Sequence, residues 1–103
     1  GGCDGREVLS SVEFLDLHAG RWCSGPSMSR PRQGAASASV AGSFYLCGGT
    51  DGRSVLCSAE CFHPHAGGWK PMPPMSMPRV AACACSLRGC LYVCGGQYHV
   101  ALS

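Results

Sequence analysis

Apolar and polar positions alternate only in short stretches, each bounded by Gly, Pro, Asp or Ser turn signals. No stretch of ten or more residues carries the i, i+3, i+4 apolar spacing of a helix. Short runs take its place. Ala36–Val40 and Cys83–Leu87 are small and apolar, and Phe44–Cys47 and Leu91–Cys94 are continuous apolar runs that end at Gly-Gly. Ser11–Leu17 and Ser58–His63 mix an apolar or aromatic residue with an acid, and Arg21–Ser24 and Trp69–Met72 each contain or adjoin a Trp. Each run reads as a β-strand.

These runs recur with a fixed period. Gly-Gly stands at 1–2, 48–49 and 95–96, a spacing of 47 residues. Without a gap, Asp4-Gly5-Arg6 falls on Asp51-Gly52-Arg53, Glu13 on Glu60, and Trp22 on Trp69. Met28-Ser29 falls on Met75-Ser76, Pro31-Arg32 on Pro78-Arg79, Tyr45 on Tyr92, and Cys47 on Cys94. A period of 40–50 residues signals a solenoid or a propeller, and four short strands per period select a propeller blade.

The constellation resembles the kelch repeat: Gly-Gly after a Tyr-bearing strand, a Glu on the next strand, a Trp, then Met, Pro-Arg and a small-residue strand. It spans nearly the whole chain, and its Gly-Gly-x-Asp-Gly and Ser-x-Glu forms look most like those of the kelch-like proteins. The resemblance implies an all-β, partial kelch-type propeller of about two blades of four-stranded antiparallel sheet. Residues 1–31 are expected to form the second half of one blade, 32–78 one full repeat, and 79–103 the start of a further blade. A ring needs about 4–8 blades, so the chain is expected to belong to a longer one.

The same resemblance assigns roles. Gly48 and Gly49 would let the backbone turn or approach a neighbour. Tyr45, Tyr92, Trp22 and Trp69 would be structural, with the Trp packed between blades. The Phe44–Cys47 strand would be buried on both faces. Glu60 would form a partly buried ion pair with a nearby Arg. Partner peptides would dock on one rim, at the residues after Gly-Gly and at the Arg and its successor before the innermost strand. Those positions are Cys3, Asp4, Arg6, Thr50, Asp51, Arg53, Gln97 and Tyr98, then Arg32, Gln33, Arg79 and Val80. Arg groups on loops over a rigid scaffold suit carboxylates; the competing reading makes the Asp-Gly pairs turn formers and Arg32 and Arg79 structural.

Composition narrows the function. The 103 residues are 46% hydrophobic and 14% charged, with a net charge of +2, which supplies no basic field for nucleic acid. No apolar run approaches the roughly 20 residues of a membrane span, and Gly1-Gly2 opens no signal peptide. Nine cysteines raise the prospect of a disulfide framework. Only Cys47 and Cys94 recur in the repeat, however, so the thiols read as reduced filler, Cys83 and Cys85 as small strand hydrophobes, and the cytoplasm as the compartment. Cys90, after Arg88-Gly89, is the best placed for thiol sensing. Cys61, His63 and His65 alternate as zinc ligands could, but Pro64 interrupts them and no fourth ligand follows, so neither metal nor cofactor is expected.

No catalytic motif is present, and a non-enzymatic protein-interaction module is expected. The resemblance points to the substrate-recognition part of a cullin-type ubiquitin ligase adaptor. An actin-binding or scaffold kelch protein is the alternative, and a copper-containing propeller oxidase is the rival from another class.

Overall fold

The computed structural model describes residues 1–65 and 67–98. Its eight strands are β1 (Val12–Asp16), β2 (Arg21–Gly25), β3 (Ala36–Val40), β4 (Ser43–Cys47), β5 (Ala59–His63), β6 (Gly68–Met72), β7 (Cys83–Leu87) and β8 (Cys90–Cys94). All lie within two residues of the runs seen in the sequence. They form three antiparallel sheets: β1-β2, the four-stranded β3-β4-β5-β6, and β7-β8. This is the arrangement expected of part of a propeller, with one complete four-stranded blade between two two-stranded sheets.

The complete blade is a meander in which each strand pairs with its chain neighbour. Ala36 stands opposite Cys47, Tyr45 opposite Cys61, and Phe62 opposite Trp69. The innermost strands of successive sheets, β3 and β7, lie side by side, and Ser86 Oγ donates to Ser39 O at 3.1 Å. Small side chains on both strands permit that approach.

Among the described residues the buried apolar ones are Met28 and Leu56 on connecting loops and Ala36, Leu46, Cys47 and Cys61 on the strands of the complete blade. The expectation that Phe44–Cys47 is buried on both faces holds only in part. Leu46 and Cys47 are buried, but Phe44 is exposed, because its face looks toward the position of two inner strands that the β1-β2 sheet lacks. Trp22 is corrected for the same reason: it is 65% exposed, whereas Trp69 is half-buried. Trp69 packs on Phe62 at 5.4 Å and edge-on to Phe44 at 6.1 Å between ring centroids. Its indole N–H donates to Pro26 O at 2.8 Å, tying the full blade to the preceding sheet. Cys83 and Cys85 are likewise exposed rather than filling a core, since their face of β7-β8 has no sheet against it among the described residues.

Candidate functional site on the loop rim

The strand registers divide the loops between two ends. Tight turns at Ala41-Gly42 and Arg88-Gly89, and the turn after His63, lie at one end. The loops after Gly-Gly and those leading into β3 and β7 lie at the other. Two kinds of loop therefore converge on one rim, and backbone hydrogen bonds join them. Gln33 and Thr50 exchange a pair of N–H···O bonds, each 2.9 Å. Val80 and Gln97 repeat the pairing at 2.9 and 2.8 Å, and Ala81 N–H donates to Gly34 O at 2.9 Å across the two sheets.

Gly48 and Gly49 make these rungs possible. Gly48 has φ +71°, and a Cβ there would lie 2.3 Å from Arg79 O; at Gly49, with φ +87°, it would lie 2.9 Å from Gln33 O. Both backbones thus occupy the left-handed region and touch the next element, which only Gly tolerates.

Beyond each Gly-Gly pair an Asp folds the loop on itself. Asp51 Oδ1 accepts from Arg53 N–H at 2.9 Å and Ser54 N–H at 3.0 Å. Asp4 Oδ1 accepts from the N–H groups of Arg6 and Glu7, both at 2.9 Å. The Ser54 and Arg53 amides, with the nearby charge of Arg30, hold the Asp51 carboxyl below the usual carboxylate range. The Glu7 and Arg6 amides do the same for Asp4. Both acids are turn formers. Thr50 Oγ1 completes its loop by donating to Ser54 O and accepting from Gly52 N–H.

The Arg6, Arg30 and Arg53 side chains are exposed. Among the described residues none of the three guanidinium groups makes a hydrogen bond or ion pair within the chain. Blade-to-blade proximity brings their loops together, since a Cβ on Gly52 would meet Val8 Cγ2 at 3.4 Å. Gln33, Gln97 and Tyr98 are exposed, while Thr50 and Asp51 are half-buried. Arg30 is the residue that sequence reasoning missed. Its repeat counterpart is Met77, so it carries no periodic signal; its place beside the Pro-Arg loop was the available clue.

Arg32 leaves the rim set. It is 2% exposed, and its Nε lies 3.0 Å from Oε2 of Glu60, which is 1% exposed. Its Nη1 donates to Gly48 O at 2.7 Å and Ser58 O at 3.1 Å, and its Nη2 to Ser58 Oγ at 2.9 Å. Glu60 also accepts from Ser29 N–H and Ser29 Oγ–H, both 2.9 Å. The ion pair is therefore fully buried rather than partly so, and among the described residues no buried side-chain nitrogen or oxygen lacks a hydrogen-bond partner. Arg79 is the half-buried counterpart: its Nη1 donates to Gly95 O at 2.7 Å as Arg32 does to Gly48 O. Its backbone-directed position separates it from the free guanidinium groups.

The other candidates occupy a different part of the fold. Cys61 Sγ lies 3.4 Å from His63 Nε2, and Ser43 Oγ lies 2.7 Å from His63 Nδ1. Cys61 is fully buried and His65 is exposed on the following turn. Among the described residues no group of three or more His, Cys, Asp or Glu side chains gathers as a metal site. The Cys61 side chain, by hydrogen bonding and charge, raises the Tyr45 hydroxyl above its ordinary pKa. Tyr45 and Tyr92 keep their blade positions, the first half-buried and the second exposed.

Compared with protein families, the chain matches the kelch motif over residues 1–29 and again over 31–76. No curated protein matches the chain.

Proposed function

The chain belongs to the kelch family, whose propellers are protein–protein interaction modules, and we propose that its loop rim grips an acidic segment of a protein partner. The observation that carries this is the trio Arg6, Arg30 and Arg53, exposed on adjoining loops whose own Asp carboxylates are occupied by backbone amides. Guanidinium groups held on rigid loops can bind carboxylates bidentately. Gln33, Thr50, Gln97 and Tyr98 supply polar and aromatic contacts around them, and hydrogen bonds to charged groups contribute about 1.5–3 kcal/mol each.

The two-stranded sheets at either side support a longer ring. Each leaves strand edges and apolar faces open, at Phe14, Leu15 and Trp22 on one side and Leu87 and Tyr92 on the other. Residues 1–31 and 79–103 are then portions of blades that further repeats complete; residues 99–103 lie outside the described residues. Within that ring the parent acts as the substrate-recognition part of a cullin-type ubiquitin ligase adaptor in the cytoplasm, by family resemblance. An actin-binding scaffold is the second reading.

The test uses a fluorescein-labelled decapeptide of Glu and a Gln counterpart, titrated with the chain and followed by anisotropy. The Glu peptide should bind more tightly, and added salt should weaken it. Arg6→Glu together with Arg53→Glu should lower its affinity at least about tenfold, since two charge-assisted contacts are removed. Equal binding of both peptides, or unchanged affinity in the doubly substituted chain, would overturn the assignment.

A further inference from the structure

We propose that Cys83 and Cys94 are a dithiol modification site, converted by a small-molecule disulfide such as oxidised glutathione into a reversible cross-strand disulfide. The two residues stand directly opposite each other in the β7-β8 register. Both are exposed and both are free thiols. Directly paired residues of an antiparallel ladder share a face, with Cα atoms about 4.5–5.5 Å apart. That falls inside the about 4.4–6.8 Å span over which cysteine pairs can be bridged.

No other thiol among the paired strands has this placement. Cys47, at the same blade position as Cys94, faces Ala36 on β3 and Ala59 on β5 and is buried. Cys85 faces Tyr92 and Cys90 faces Leu87. Cys61 faces Tyr45 and Lys70, and Cys23 faces Phe14. The opposite face of the hairpin, with Leu91 and Val93, lines a cleft of about 300 Å³ against Tyr45, Met72 and Met75. A bridge between Cys83 and Cys94 therefore forms without disturbing that packing. It also fastens a two-stranded sheet, a unit with little stability of its own.

The chemistry balances as thiol–disulfide exchange. One cysteine thiolate attacks a sulfur of oxidised glutathione, forming a mixed disulfide and breaking the glutathione S–S bond; a glutathione thiolate leaves. The second cysteine then attacks the protein sulfur of the mixed disulfide and displaces the second glutathione thiolate. The two cysteines lose two electrons, oxidised glutathione gains them, and the two thiol protons pass to the two glutathione molecules.

The experiment incubates the chain with oxidised glutathione, blocks remaining thiols, digests with trypsin without reduction and sequences linked peptides by mass spectrometry. The peptide Val80–Arg88 should appear joined to the peptide beginning at Gly89, with fragment ions locating the bond at Cys83 and Cys94. Free thiols should fall by two and return on reduction. The link should survive in a Cys85→Ser, Cys90→Ser chain and be lost at equal yield of folded protein in Cys83→Ser and in Cys94→Ser. Glutathione adducts without a linked peptide, a bond located at Cys85 or Cys90, or a link persisting at full yield in Cys83→Ser would overturn the proposal.

Discussion

Replacing Glu60 by Ala should be among the most damaging single substitutions in the complete blade. It removes the carboxylate that meets Arg32 Nε at 3.0 Å and accepts two bonds from Ser29. The Arg32 cation stays behind in a site where it is 2% exposed. An uncompensated buried charge of this kind costs about 3–5 kcal/mol. Against the about 5–15 kcal/mol that stabilises a whole domain, that is a large share. Arg32→Ala should cost a similar amount, because it strands the Glu60 carboxylate and leaves Gly48 O without its guanidinium donor. Glu60→Gln keeps the shape and loses the charge, so a smaller loss of about 1.5–3 kcal/mol is expected. The paired substitution Arg32→Met, Glu60→Met removes both charges together and should cost clearly less than the two alanine variants added, since apolar replacement of a buried pair is often near neutral. Urea unfolding followed by circular dichroism measures all four. With a slope of about 1–3 kcal/mol per molar urea, Glu60→Ala should lower the midpoint by about 1 M or more. Single losses below about 1 kcal/mol that add without coupling in the double-mutant cycle would refute the assignment of this pair as the blade's buried electrostatic anchor.

Other outcomes follow from the same geometry. Gly48→Ala should destabilise by several times the cost of Gly42→Ala in thermal melts: both have positive φ, but only at Gly48 would the added Cβ strike backbone, whereas Gly42 has open space around it. Trp69→Ala should cost about 3–5 kcal/mol by urea titration, while Trp22→Ala, at the same repeat position but exposed, should cost under about 1 kcal/mol. Asp51 and Asp4 have lowered folded-state pKa values, so the stability they lend is present above the ordinary value of 3.8 and is lost as pH falls through the folded-state value. Asp51→Asn, Asp4→Asn should flatten that acid limb, as read from midpoints between pH 2 and 5. Cys47, whose thiol burial pushes up against a smaller opposing effect of Arg32, should react with iodoacetamide far more slowly than the exposed Cys94, as peptide mapping over time would report.

Strand positions were legible because each depends on local chemistry. The runs ending at Gly-Gly, the small-residue strands and the Asp-Gly turns each state their conformation within a few residues, and the 47-residue period joins them. Burial was less legible because it depends on what lies across the gap between sheets. Trp22 and Trp69 occupy identical motif positions, yet only Trp69 has Phe44 and Phe62 as neighbours. Arg32 and Arg53 both read as loop cations. An ion pair of Glu60 with an Arg was expected, but its partner Arg32, 28 residues earlier in the chain, is fixed by a tertiary contact with no local signature. The face-to-face placement of Cys83 and Cys94 was hidden for a related reason: it needs the hairpin register, which the Arg88-Gly89 turn sets.

The rim assignment is tested most directly by amide chemical-shift mapping of the chain titrated with the Glu decapeptide. The assignment predicts the largest changes at Arg6, Arg30, Gln33, Thr50, Asp51 and Arg53, with the tight turns at Ala41-Gly42 and Arg88-Gly89 unmoved. Changes centred on those turns, or none on the rim at saturating peptide, would contradict it.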